Sequence, residues 1–269
     1  MGARTSHNRR YLIAGAAILA IALGAYHLAL TYPPLGPVAG TVFPQRYVDS
    51  LTDGQIPARG RYVLVDAASA RLFMIEDGRV RDSMRVIVGK PTAATPALKS
   101  VLYYATLNPY WNVPPDLALK IVAPHVLKEG NAYLRERGYE VVSSFGNPQL
   151  LSPDSVDWGK VAAGEAKVKI RQRPGPANSM GQMKFYLADD DGIYLHDTPK
   201  KELFAQADRN LSNGCVRLED APRFARWLLG KDPRPGSAAP EQHVEIPGAV
   251  PITIAYLDAR AQMQVAGLQ

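Results

Sequence analysis

Leu211-Ser212-Asn213-Gly214-Cys215-Val216-Arg217-Leu218 carries the only cysteine of a 269-residue chain. Upstream, Ile193-Tyr194-Leu195-His196-Asp197-Thr198-Pro199 carries a histidine 19 positions before it. A lone thiol has no intrachain partner for a disulfide, and a thiolate beside a histidine base is an acyl-transfer nucleophile. The apolar run before His196 reads as a short strand that delivers the imidazole at its end. Ser212-Asn213-Gly214 reads as a sharp turn, in which Gly214 removes a side chain where a substrate carbonyl must approach. A strand end and a returning loop bring the two side chains to one place.

Outward from these segments the chain is mainly β. Tyr62–Asp66 and Arg71–Ile75 are β-branched and apolar, and Asp77-Gly78 is a hairpin signal before Val80–Val88. Val101–Leu107 reads as a fourth strand. Lys167–Gln172, Met183–Leu187 and Ile193–His196 resume strand character, and Val250–Leu257 closes the domain. Lys200–Ala207 suggests a short helix. Ala221–Leu229 is a clear amphipathic helix starting just after Asp220. Between Asn108 and Arg173 the pattern changes to an aromatic loop, Asn108 to Pro115, and a helix over 116–128 with Asp116 as N-cap and Pro124 interrupting it. Asn131–Arg137 adds a further helical turn, and Ser152–Val161 is turn-rich. This insertion reads as a lid, because long ordered insertions in compact domains are often functional.

The N-terminus bears on the compartment. Arg4, Arg9 and Arg10 precede Tyr11–Leu30, 20 residues without Asp, Glu, Lys or Arg. A helix of that length spans about 30 Å, the thickness of a bilayer core. Residues 1–31 therefore read as an inner-membrane anchor or signal segment. The anchor is favoured because signal h-regions are usually shorter and no clean A-x-A site precedes Thr31. Residues 32–58 are proline-rich and read as a stalk, leaving 59–269 for one domain. The whole chain has 31 Lys+Arg against 25 Asp+Glu; without the three N-terminal arginines the balance is 28 against 25, or +3. That is no nucleic-acid footprint. Cys215 with His125 and His196 gives no familiar zinc spacing, and no metal or other cofactor is expected.

The chemistry follows from residue types. His196 would deprotonate Cys215 and later protonate a leaving amine, with the Asp197 carbonyl or a nearby side chain orienting the ring. Backbone N–H groups near Asn213, Gly214 and Cys215 could form an oxyanion hole. Arg217, two positions on, shares a face with Cys215 if the chain is extended there. Taken singly, each residue has a plainer reading: a small buried hydrophobe, a structural histidine, a surface cation.

Word-level matches sharpen this. Tyr194 to Pro199 reads YLHDTP, Ser212 to Arg217 reads SNGCVR, and fifteen residues separate His196 from Ser212. With Val86 to Pro91 (VIVGKP), Leu107 to Pro114 (LNPYWNVP) and Pro174 to Gly181 (PGPANSMG), the chain resembles the YkuD family of L,D-transpeptidase catalytic domains, most of all its YcbB-like branch. The matches run from about Tyr62 to Leu257. Many members carry Ser-His-Gly-Cys where Asn213 stands here, and the extra peptidoglycan-binding modules of larger YcbB-like proteins have no counterpart between Leu30 and Arg59.

The resemblance implies a mainly β (α+β) sandwich with peripheral helices, in which the insertion at about 108–173 is a capping subdomain. It implies peptidoglycan stem peptides as substrates: attack on the third stem residue, release of the terminal D-alanine of a tetrapeptide, and a 3→3 cross-link. Carbapenems would acylate the same cysteine. His196 would be the base, Asp197 its orienting neighbour, and Asn213, Gly214 and Cys215 the oxyanion hole. Ser212, Tyr194 and Arg217 fall on motif positions near the substrate, and Trp111 and Asn112 on or beside the cap. A hydrolase using the same residues with water as acceptor, or a non-catalytic wall-binding module, are the other function classes.

Overall fold

The computed structural model describes residues 59–188, 192–233 and 239–268, so the segments read as anchor and stalk lie outside the described residues. Among those described, no helix is long and apolar enough to cross a membrane.

β1 (Arg61–Asp66), β2 (Arg71–Glu76) and β3 (Arg79–Gly89) form an antiparallel meander. Asp77 and Gly78 take φ values of 51° and 70°, the two left-handed positions of a tight hairpin turn. After β4 (Leu98–Leu107) the chain leaves this sheet. It builds a second one from β5 (Trp111–Asn112), β6 (Tyr139–Val142), β7 (Leu150–Leu151) and β8 (Lys169–Gln172), ordered β5-β8-β6-β7. It returns as β9 (Met183–Leu187), β10 (Tyr194–His196), β11 (Asn210–Ser212), β12 (Val216–Leu218) and β13 (Gln242–Ala255).

The main sheet runs β11-β3-β12-β10-β9-β4-β13-β1-β2, and β2 also pairs with β3. The expected mainly β domain is therefore a sheet that curls until its ends meet, which leaves few exposed edges. Inside it lie Leu72, Met74, Val86, Leu102, Phe185, Leu195, Val216 and Ile252, all within 1% of full burial. Phe224 of the helix Ala221–Leu229 joins this core, its ring 5.0 Å from that of Phe185. Asp220 caps that helix by accepting the Arg223 N–H at 2.9 Å.

The second sheet has its own apolar cluster, including Val113, Val122, Val126, Leu134, Trp158 and Ile170. Its helix differs from the sequence expectation at both marked points. It starts at Pro115 after Pro114, with Asp116 in the first turn rather than at the cap. Pro124 does not break it, because Ala118–Val122 widen into a π-turn just before the proline and the chain continues helical over Ala123–Glu129. Within residues 143–149, the Ser143 N–H donates to the Gln149 carbonyl at 3.0 Å.

The two sheets join at Asn178, which is fully buried. Its Nδ2 reaches the carbonyls of Pro109 (2.9 Å), Arg173 (3.0 Å) and Gln172 (3.3 Å), and its Oδ1 accepts the Met180 N–H at 2.7 Å. Gln172 reinforces the joint by donating to the Ala177 carbonyl and accepting the Ser179 N–H. One carboxamide thus ties both ends of the insertion to the segment that reads PGPANSMG.

Candidate active site

Strand alternation decides which side chains share a face. In β9, Met183, Phe185 and Leu187 enter the core, so Lys184 and Tyr186 face outward. Register carries that outer face sideways: Thr106 pairs with Lys184, Lys184 with His196, and His196 with Arg217. Tyr104, Tyr186 and Tyr194 form the next row, with Tyr104 and Tyr186 stacked at 4.0 Å. Cys215 precedes Val216, the partner of Leu195, and so is level with Tyr194 on this face.

His196 is 3% exposed. Its Nδ1 lies 2.5 Å from the Asp197 carbonyl oxygen, so in the neutral ring Nδ1–H donates there and Nε2 keeps its lone pair. The Asp197 carboxylate is engaged elsewhere. It accepts the Gln182 N–H at 2.9 Å and pairs with the Lys201 ammonium at 2.7 Å. Gly181, at φ +61°, makes room for it: a Cβ there would lie 2.3 Å from Asp197 Oδ2.

The cysteine loop is held from below. β11 runs parallel to the end of β3 and β12 runs antiparallel to it, so residues 213–215 pass around the end of that strand. Ser212, 1% exposed, donates from Oγ to the Cys215 carbonyl at 2.6 Å and accepts the Gly214 N–H at 3.2 Å. Gly214 takes φ +118°, which favours glycine. Buried Thr95 accepts the Gly89 N–H at 2.8 Å and donates to the Gly214 carbonyl at 2.7 Å. Gly89 admits this turn because a Cβ there would meet the Ala93 oxygen at 2.2 Å.

The electrostatics are cationic. Burial, then the charge of Arg217, pushes His196 down to about 3 against the upward pull of the Asp197 carbonyl; Lys184 and Lys201 add to the shift. The ring is therefore neutral at ordinary pH. Burial also lowers Lys184 to about 8 and lowers Arg217, and an ionised Cys215 would oppose both shifts.

The structure brings together Cys215, His196, Asp197, Ser212, Gly214, Tyr194 and Arg217, with Asn213 exposed at the loop tip. Trp111 and Asn112 stand apart from this row, in β5; Trp111 packs on the second core, 6.3 Å from the Tyr139 ring. Sequence reasoning passed over Thr95, Gly181, Lys184 and Lys201. Lys184 left a signal, as the lone charge in the alternating Met183–Leu187 strand. Among the described residues no cluster of three metal-ligating side chains occurs.

A curled β domain that presents a cysteine loop beside a buried, carbonyl-oriented histidine defines a thiol-and-imidazole site. The YkuD family model, described as the L,D-transpeptidase catalytic domain, matches residues 60–246. The chain belongs to this L,D-transpeptidase family. A Haemophilus influenzae protein named "Putative L,D-transpeptidase" is 34% identical over 174 residues, which are 65% of this chain and 35% of that protein. The matched region is thus about a third of that relative's length. Among solved structures, an L,D-transpeptidase from Mycobacterium smegmatis is 13% identical over 72% of this chain and 58% of its own, with a TM-score of 0.35. L,D-transpeptidase 3 from Mycobacterium tuberculosis, in complex with a faropenem-derived adduct, is 14% identical over 72% and 60%, with a TM-score of 0.36.

Proposed function

We propose that the chain is a peptidoglycan L,D-transpeptidase that forms 3→3 cross-links through a thioester on Cys215. The observation that carries this reading is the Nδ1 bond of His196 to the Asp197 carbonyl, which leaves Nε2 as base on the face it shares with Cys215, one row away. Cys215 Sγ gives its proton to His196 Nε2 and attacks the carbonyl of the third stem residue. The proton then goes to the departing amine of D-alanine, and the peptide bond breaks to leave an acyl-thioester. An acceptor side-chain amine attacks the thioester, His196 takes its proton, and the thiolate leaves.

The oxyanion is assigned to the Asn213 and Cys215 amides, because the Gly214 N–H donates to Ser212 Oγ. Asp197 orients through its carbonyl, and Ser212 shapes the loop from beneath. Arg217 and Tyr194 are assigned to the donor stem, Arg217 as a cation for a stem carboxylate. The second sheet, with Trp111 and Asn112, serves as a cap over the donor. Catalysis belongs in the envelope, with residues 11–30 tethering the domain to the inner membrane. Carbapenems, as strained acyl donors, acylate Cys215.

Intact mass spectrometry of the protein with a disaccharide-tetrapeptide, and separately with a carbapenem, tests this. The expected result is an adduct on Cys215, released D-alanine and 3→3 dimers. D-alanine with tripeptide and no dimer makes the chain an L,D-carboxypeptidase. No adduct from either reagent leaves a wall-binding module.

A further inference from the structure

A charged side chain in the middle of an apolar strand needs a reason. Lys184 is the one charge in Met183-Lys184-Phe185-Tyr186-Leu187, and it stands in register beside His196. Its ammonium lies 3.5 Å from the Tyr194 ring centroid and 4.4 Å from that of Tyr186. Two tyrosine faces therefore fix it by cation–π attraction. Tyr194 is the residue level with Cys215, so the ammonium leans from the His196 row toward the cysteine row.

We propose that Lys184 is a positioning residue for the nucleophile: its ammonium, held on Tyr186 and Tyr194, is the counter-charge that stabilises the Cys215 thiolate. This rests on the reading of Cys215 as nucleophile. The titratable groups set against Lys184 are Tyr186, Tyr194, His196, Cys215 and Glu241, with Arg217 one strand beyond His196 and His243 bonded to Thr106 on the other side. Of the two that can carry negative charge toward it, Glu241 already accepts the Tyr110 N–H at 2.5 Å, and Cys215, once ionised, is the stronger influence. His196 is held neutral by burial and by neighbouring cations, so the resting site has no imidazolium to play this part. Lys184, lowered by burial to about 8, is charged below that pH and loses its effect above it. The ionising proton passes to His196 Nε2 during turnover and to water during alkylation, and Lys184 exchanges no proton with the substrate.

Because Cys215 is the only cysteine, iodoacetamide labelling of the full chain reports on this thiol alone. The rate is followed by intact mass from about pH 5.5 to 9.5, a window that spans an ordinary thiol pKa near 8.5. K184M should move the midpoint upward by about one unit, making labelling below pH 7 about tenfold slower. K184R should restore the wild-type rates below about pH 8 and, because a guanidinium stays charged, keep its effect above that pH, which a merely structural role would not predict. K184Q serves if K184M fails to fold, as judged by its melting transition. A folded neutral variant whose profile superimposes on wild type overturns the role of Lys184. A wild-type thiol that titrates as an ordinary exposed cysteine overturns the nucleophile reading itself.

Discussion

Thr95 holds the cysteine loop through a single oxygen that serves two buried backbone groups, the Gly89 N–H and the Gly214 carbonyl. Thr95→Val keeps the shape and leaves both unpaired, at a cost of about 1–3 kcal/mol for each group. A loosened nucleophile also reacts more slowly, and displacements near 1 Å cost on the order of a hundredfold. Chemical denaturation and carbapenem acylation kinetics should therefore both worsen, while Thr95→Ser recovers most of each. Wild-type kinetics in a destabilised Thr95→Val would separate the bridge from the placement of Cys215. His196 makes a second residue-scale prediction. Its folded pKa, about 3, lies below the ordinary 6.5, so the unfolded chain takes up the proton first. The stability this histidine contributes is complete above about pH 6.5 and is lost as pH falls toward about 3. The stability gap between pH 7 and pH 4 should be smaller in His196→Asn than in wild type, and an equal gap would remove the buried neutral imidazole. Cys215 and His196 were legible in the sequence because the chemistry needs those residue types in those words. Thr95 was not, because a threonine after Gly-Lys-Pro-Thr-Ala-Ala looks like any turn residue until the chain brings residue 214 onto it.

Elements were legible where periodicity was long enough to register. β1 to β3 carry apolar runs joined by tight turns, one of them Asp-Gly, and the helix Ala221–Leu229 has its cap at Asp220 as the sequence implied. β11 and β12 are three residues each, too short to show a period, yet they flank the nucleophile. β13 was half read. Pro247-Gly248 suggests a break, but the strand passes through it with a register shift between Glu245 and Val250, and Gly248 and Ala249 take φ values of 76° and 41°. The joint at Asn178 belongs to this scale, because it holds elements rather than atoms of the reaction. Asn178→Ala removes the donor shared by the Pro109, Gln172 and Arg173 carbonyls and frees the buried Met180 N–H. A loss of about 2 kcal/mol or more is expected from groups left unpaired. Proteolysis should then cut near residues 108–110 and 173–177 before any cut in β9 or β10. Uniform loss of protection across the chain would mean the joint is simply part of the main core.

At the scale of the molecule, the apolar clusters of the main and second sheets share no residue, and among the described residues none of the main cluster comes from positions 108–182. β4 and β9, which flank the insertion, pair directly with each other, with Leu107 opposite Met183. The insertion's two ends meet at one carboxamide, since the Pro109 and Arg173 carbonyls both lie within 3.0 Å of Asn178 Nδ2. A short Gly/Ser linker from 110 to 173 can therefore replace residues 111–172 without opening the curled sheet. Such a variant should unfold cooperatively and keep Cys215 reactive toward iodoacetamide, because Ser212, Thr95, His196 and Lys184 all lie outside the deleted stretch. Its turnover of a disaccharide-tetrapeptide should fall by at least about tenfold, since remote contacts with a donor are what orient it for attack. If the variant does not fold, the second sheet is structural support for the first. If it folds and turns over the tetrapeptide at the wild-type rate, the second sheet does not cap the donor, and Trp111 and Asn112 leave the site. A folded variant with a reactive thiol and an orphaned donor is the outcome that the separate cores and the shared joint lead us to expect.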